Sequence, residues 1–229
     1  MISRKTEVLL EKFKHISLFL ENRAVLIGGT ALAYHFSHRE SFDLDICFPF
    51  SKKLPEFDFL QKFDEVVPIA FDQEIIDTAF NEGGDINDLI KRYIIDGVKV
   101  DFVINPSSNI YESKILQTDS GTREGYLQIA SVETIFKLKS LLLFDRNKIR
   151  DLYDMVYLLK NGGFSGKDFI DTIMTYRITY TPQDIIRLLE SKEEDPFDIE
   201  GIVNPVMKRV TYSDLKSYLL QKIEVDLRS

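Results

Sequence analysis

Residues 25–48 read VLIGGTALAYHFSHRESFDLDICF. Ala24 to Ile27 has the length and apolar composition of a short strand, Gly28-Gly29 turns the chain, and Thr30 to about Phe36 reads as a short helix. A polar turn over Ser37 to Phe42 leads into a second strand, Asp43 to Phe48, stopped by Pro49. Residues two apart on a strand project from the same face. Asp43 and Asp45 therefore point together, with Leu44, Ile46 and Phe48 on the opposite, buried face. Two adjacent carboxylates repel each other unless a cation sits between them or one takes a proton. Glycines at a strand-to-helix junction offer bare backbone amides at the positive end of a helix, which suits an anion. A phosphate cradle beside a hard-cation site points to a nucleotide and Mg²⁺.

Other residues extend this reading. Tyr93-Ile94-Ile95, Asp96-Gly97 and Val98 to Ile104 form a hairpin pattern, with Asp-Gly suited to a type I′ turn, and Asn105-Pro106 ends it. Val98, Val100 and Phe102 share one face of its second strand; Lys99, Asp101 and Val103 share the other. A carboxylate in an apolar strand is costly unless neutralised or ligated. Asp43, Asp45 and Asp101 on adjacent strands supply the oxygen ligands for two Mg²⁺ ions, which can clamp the attacking and leaving oxygens of a phosphoryl displacement. The alternative is that Asp101 lies on an edge strand and faces water. Gly28, Gly29 and Thr30 form the phosphate element, the Thr30 hydroxyl donating to a phosphate oxygen; the alternative is a plain tight turn with Thr30 as helix cap. Arg39 either holds a phosphate or braces the aspartates by bidentate pairing, with His38 in support. His15 and His35 lack metal-binding spacing, and Cys47 reads as structural filling.

The chain has 229 residues, 44% hydrophobic and 29% charged, enough to bury a sizeable core without disulfides. Its one cysteine excludes an internal disulfide and fits a reducing cytoplasm. No apolar run approaches the ~20 residues needed to span a membrane, and the N-terminal residues lack the pattern of a signal peptide. A net charge of −8 argues against a surface broadly dedicated to nucleic acid. A local basic segment nonetheless exists: Lys137, Lys139, Arg146, Lys148 and Arg150.

Leu9, Phe13, Ile16 and Leu20, widened by Val8, predict one N-terminal helix to near Asn22. Pro55 to Phe63 reads as helical, Gly83-Gly84 as a loop, Asp119 to Gly125 as a loop, and Leu127 to Ala130 as the last strand. The remainder is helical in pattern. Ser131 caps a helix to about Phe144, a second spans about Lys148 to Lys160, a third centres on Phe169, Ile170 and Ile173, Thr181-Pro182 opens a fourth, and a last runs from about Ser213 to Val225. The acidic stretch SKEEDPFDI, 191–199, reads as an exposed connection. This predicts an α+β fold: a mixed sheet with helices over 1–130, then an all-helical bundle over 131–229, with the site between the two parts. If the helix carrying Lys139 continues, Lys139, Arg146 and Arg150 share a face, with Lys139 available to neutralise a triphosphate. Asp151 and Asp154 are helical neighbours whose bland reading is local pairing with Arg150 and Lys148.

With these residues in hand, the chain resembles the AbiEii/AbiGii toxin-type nucleotidyltransferases of the polymerase-β-like superfamily. IGGTALAYHFSHRESFDLDICF is similar to the family's GG-[ST]-A-L … H-R-x-S-x-D-L-D-[FI] signature, and KSLLLFDRNKIRDLYDMVYLL to its K-x-x-A-L … R-x-x-x-R-D-x-Y-D-L block. The resemblance spans roughly residues 24–160. It implies a nucleotidyltransferase-type sheet, Gly28, Gly29 and Thr30 on the nucleotide phosphates, and Asp43 and Asp45 on Mg²⁺. It implies Asp101 as third carboxylate and base toward an acceptor hydroxyl, with Lys139 and Asp151 as the downstream lysine and aspartate. Such enzymes transfer a nucleotide from an NTP to an acceptor; some modify tRNA 3′ ends, and many are encoded beside an antitoxin. Leu142 departs from the pattern, standing where a small residue is usual. Rival readings are a nucleotidyltransferase acting on a small molecule, as aminoglycoside-modifying enzymes do; a nucleotide-binding module without turnover; and a metal-binding protein with no nucleotide role.

Overall fold

Asp96 and Gly97 both adopt positive φ, 49° and 78°, the backbone of a type I′ turn. In the computed structural model, which describes residues 1–81, 84–105, 112–195 and 210–228, that turn joins two of the longest strands of the sheet. The chain divides into two compact units. One comprises Met1–Ser37 with Ser41–Ser131, the other His38–Glu40 with Val132–Ser229.

In the first unit seven strands are described: β1 (Val25–Ile27), β2 (Asp43–Cys47), β3 (Val66–Pro68), β4 (Ile90–Ile95), β5 (Val98–Val103), β6 (Thr122–Glu124) and β7 (Leu127–Ile129). They form one mixed sheet in the order β3-β4-β5-β2-β1-β7-β6. β2 runs parallel to β5 and β1 parallel to β7; the other neighbours are antiparallel. The architecture is mixed α/β, consistent with the α+β expectation. Leu44, Ile46 and Phe48 are buried on one face of the sheet with Val98, Val100 and Phe102, as the alternation requires.

The predicted N-terminal helix is broken into α1 (Arg4–Phe13) and α2 (Ser17–Glu21). Phe13 and Phe19 are fully buried, whereas Leu20 and Val8, assigned to the apolar stripe by spacing, are 42% and 53% exposed. Six residues apart on one continuous helix, Phe13 and Phe19 would point about 120° away from each other. The break brings their rings within 5.4 Å, edge to face. Both join Phe48, Phe57, Phe59 and Phe102 in one aromatic cluster, with Phe57 and Phe102 4.4 Å apart. Each such pair adds about 0.5–1.5 kcal/mol beyond its buried area. The aromatic-rich Pro55–Phe63 segment supplies two of these rings, Phe57 just before and Phe59 within a short 3₁₀ turn, Asp58–Lys62.

Between the last residue of β1 and the first of β2 runs α3 (Gly28–Phe36), which begins at the first glycine rather than after it. Beyond β3 lie α4 (Gln73–Asn81) and α5 (Ile86–Leu89), and α6 (Ser113–Gln117) precedes β6. β6 occupies residues expected to be a loop. It forms an outer strand of the sheet with Thr122 and Arg123 exposed, so the sequence there carries no apolar alternation. Gly83 of the expected glycine loop, Pro106 after the hairpin and residues 196–199 of the acidic stretch lie outside the described residues.

In the second unit the described elements are helices: α7 (Val132–Asp145), α8 (Ile149–Asn161), α9 (Gly166–Tyr176), α10 (Pro182–Ser191) and α11 (Tyr212–Arg228). α7 packs on α8 and α9, and α11 on α8, α9 and α10. Thr181 caps α10 with a reciprocal Asp184 bond and Pro182 in the first turn; Ser165 and Asp168 do the same for α9. The chain leaves the helical path between Asp145 and Ile149, so the shared face of Lys139, Arg146 and Arg150, which required an unbroken helix, is not made. Among the described residues no helix is long and apolar enough to cross a membrane.

Candidate active site

The sheet register assembles the acidic face. Asp45 pairs with Ile27 of β1 on one side and with Asp101 of β5 on the other, and Asp101 pairs with Arg92 of β4. Asp43 pairs with Lys99. In-register residues of neighbouring strands project from the same face, so Asp43, Asp45, Asp101, Lys99 and Arg92 share one side of the sheet, opposite the aromatic cluster. β5 lies between β4 and β2, so Asp101 is not an edge-strand residue, and its side chain is only 14% exposed. Its Oδ2 is 3.5 Å from Arg92 Nε and 3.4 Å from Lys99 Nζ; its Oδ1 is buried with no hydrogen-bond partner among the described residues. Among the described residues, no three His, Cys, Asp or Glu side chains converge into a ready-made metal cage.

The turn from β1 into α3 brings backbone to this face. Gly28 has φ of +73°, and a Cβ built there would collide with the Asp45 carboxylate. Glycine thus serves two needs at once, the left-handed backbone and the close approach of Asp45 to the start of the helix. Ile27, at the N-cap, is apolar and gives that first turn no side-chain cap. Thr30 is fully buried. Its hydroxyl donates to the Asp43 carbonyl and lies 2.8 Å from Ser41 Oγ, which is 3.4 Å from Asp43 Oδ1. The expected phosphate donor is therefore directed to protein atoms. Cys47 is fully buried, and burial pushes its thiol far up, in keeping with a filling role.

The second unit holds a buried ion cluster. Asp154, fully buried, accepts at Oδ1 from His38 Nε2 and Arg39 Nε, each at 2.7 Å. Its Oδ2 accepts from Arg39 Nη2 at 2.9 Å and lies 2.8 Å from Lys139 Nζ. Lys139 also donates to Asp151 Oδ1 at 2.7 Å, and Arg146 Nε to Asp151 Oδ2 at 2.7 Å. Burial alone would raise both carboxyls. The cations outweigh it, with Lys139 and Arg146 holding Asp151 at about 2, and Lys139 and Arg39 holding Asp154 well below the usual range. Burial likewise opposes the Lys139 ammonium, but Asp151 and Asp154 prevail and keep it above its ordinary value. Burial dominates at His38 and lowers it, so the ring is neutral and donates from Nε2, since a carboxylate only accepts. Arg39 thus meets Asp154 rather than Asp43 and Asp45, and Asp151 and Asp154 meet Lys139, Arg146, Arg39 and His38 rather than the expected Arg150 and Lys148.

A family model described as "Nucleotidyl transferase AbiEii toxin, Type IV TA system" matches residues 15–222. The chain belongs to the AbiEii family. It is also 25% identical over 156 residues to an uncharacterized protein of Aquifex aeolicus, covering 68% of this chain and 66%, just under two thirds, of that one. No solved structure matches.

In this AbiEii chain, the register unites Asp43, Asp45 and Asp101 on one face of the sheet unit, and packing unites Lys139 and Asp151 within the helical unit. Sequence reasoning placed Lys99 on the Asp101 face without giving it a role, and missed Arg92. Counting outward from the Asp96-Gly97 turn would have found Arg92, because a two-residue turn sets Ile95 opposite Val98 and hence Arg92 opposite Asp101. It also undervalued His38 and Asp154; the available signal was the adjacent His-Arg pair and the three-residue spacing of two aspartates on one helix.

Proposed function

We propose that this AbiEii-family chain is a Mg²⁺-dependent nucleotidyltransferase that moves a nucleotide from an NTP to an acceptor hydroxyl, the 3′ end of a tRNA, as the toxin of a toxin–antitoxin pair. The observation that carries this reading is the row Asp45–Asp101, with Asp43 on the same face, beside the glycine start of α3. The donor set is entirely hard oxygen, as Mg²⁺ requires, and the buried Oδ1 of Asp101, without a hydrogen-bond partner among the described residues, fits a cation or a proton. Asp43, Asp45 and Asp101 would hold the metal, which when bound supplies charge neutralisation at the phosphoryl oxygens.

The chain's own groups do the rest. Backbone amides of Gly28 and Gly29, at the positive end of α3, receive the triphosphate oxygens. The strands fix the acceptor hydroxyl in line with the α-phosphorus, where a bond from acceptor oxygen to phosphorus forms as the bond to the pyrophosphate oxygen breaks. The hydroxyl proton goes to Asp101, and pyrophosphate leaves. Lys139 and Asp151 enter as members of the internal ion cluster, because the ammonium already faces two carboxylates at 2.7 and 2.8 Å. The net charge of −8 favours a second reading, a small-molecule acceptor.

The test is incubation with each α-labelled NTP, Mg²⁺ and total RNA. Label on tRNA is expected. Label only on an added hydroxyl-bearing small molecule favours the second reading, and label on neither, from folded protein, contradicts the transferase assignment.

A further inference from the structure

We infer that Thr30 is a positioning residue that fixes the backbone of Asp43, and that it does not bind the nucleotide's phosphates; this rests on the nucleotidyltransferase reading above. The sheet itself creates the need. β1 ends at Ile27, opposite Asp45, and the chain then leaves the sheet at Gly28. Asp43 pairs with Lys99 on the β5 side, but it lies two residues beyond the last β1 partner on the other. Where a neighbouring strand stops short, the backbone group on that side is satisfied by another element. Thr30, from the first turn of α3, donates its hydroxyl to the Asp43 carbonyl where β1 would have continued.

Hydrogen counting orders the rest. A carbonyl only accepts, so the single Thr30 hydroxyl hydrogen is committed to Asp43. The Thr30 oxygen is then the acceptor in its 2.8 Å bond with Ser41 Oγ. Ser41 gives its hydrogen there rather than across the 3.4 Å to Asp43 Oδ1, which is at the limit of a hydrogen bond. Ser41 is itself held by its backbone, its N–H donating to the Met1 carbonyl and its carbonyl accepting from Ser3 N–H, both at 3.0 Å. The relay Ser41 to Thr30 to Asp43 is thus anchored at each end. Thr30 has no exposed surface on which a triphosphate could rest.

The test compares Thr30→Val, which keeps the shape and removes the donor, with Thr30→Ser, which keeps the hydroxyl. Folding is checked by circular dichroism and melting. Nucleotide transfer gives kcat and the KM for NTP, and calorimetric titration gives the affinity of the free protein for Mn²⁺. Thr30→Val is expected to lower kcat about 10- to 100-fold, as a misplaced catalytic group does, with KM for NTP within about twofold of wild type and Mn²⁺ affinity weakened. Thr30→Ser is expected to match wild type. A tenfold or larger rise in KM at unchanged kcat would make Thr30 a phosphate ligand and overturn the inference; wild-type kcat and Mn²⁺ affinity in Thr30→Val would make it core filling and overturn it equally. Should Thr30→Val not fold, Ser41→Ala cuts the preceding link, and wild-type kcat and Mn²⁺ affinity there would count against the relay. Should the wild-type protein transfer nothing, the transferase reading fails, and Mn²⁺ affinity in Thr30→Val still decides: weakened supports positioning, unchanged overturns it.

Discussion

Asp154 accepts four close contacts on two oxygens in a site with no solvent exposure. Removing one member of a buried ion cluster leaves the others charged and unpaired, which costs about 3–5 kcal/mol. Asp154→Ala is therefore expected to lower unfolding free energy by about that amount, read from the midpoint of urea denaturation; a loss below about 1 kcal/mol would show that the cluster carries no such weight. Individual residues were legible in the sequence to different depths. Asp43, Asp45 and Asp101 could be placed on strand faces because the side-chain period is two and the breakers around them are unambiguous. The partners of Asp154 could not, because helical spacing relates Asp154 to Asp151 but says nothing of His38 and Arg39, more than a hundred residues away in sequence. The motif suggests a phosphate donor at Thr30, but a hydroxyl's direction depends on where the neighbouring strand ends, which local sequence does not show.

At the scale of elements, the hairpin is the best-determined feature, and its turn sets which side chains flank Asp101. At Gly97 an added Cβ would meet only Lys5 Nζ, at an ordinary 3.6 Å, so the obstacle to a side chain is the positive φ and not space. Gly97→Ala is expected to cost about 1–2 kcal/mol from the left-handed conformation alone, measured by the shift in denaturation midpoint; a neutral or stabilising result would mean that the turn relaxes without penalty. Strong turn chemistry made this hairpin readable. The split of the N-terminal helix was not readable, because it is set by long-range convergence of Phe13 and Phe19 on Phe102 rather than by a local breaker. β6 escaped for a related reason: a polar strand at the outside of a sheet has no apolar alternation to detect.

At the scale of the molecule, the chain's two units follow the change from alternating strands and helices to helices alone, with His38–Glu40 counted in the second unit although neighbouring residues on both sides belong to the first. That unit should respond to acid. An unfolded histidine titrates near about 6.5, and burial holds His38 below that when folded. Below about 6.5 the unfolded chain binds the proton more readily, so His38's contribution, complete above that pH, is lost as pH falls through its lower folded value. Asp151 and Asp154, also depressed, contribute above about 3.9 and lose that contribution on further acidification, Asp151 through about 2. The melting temperature should therefore fall between pH 7.5 and 5, and His38→Gln should flatten that slope; an equal slope in the variant would exclude His38 as its source. Nucleotide transfer would depend on the acidic face of the sheet, and the most direct measurement is transfer of α-labelled nucleotide by Asp45→Asn beside wild type, with both proteins shown to be folded by circular dichroism. Label transfer by wild type and a loss of at least about a hundredfold in the variant are expected. Wild-type transfer by a folded Asp45→Asn protein would contradict that dependence.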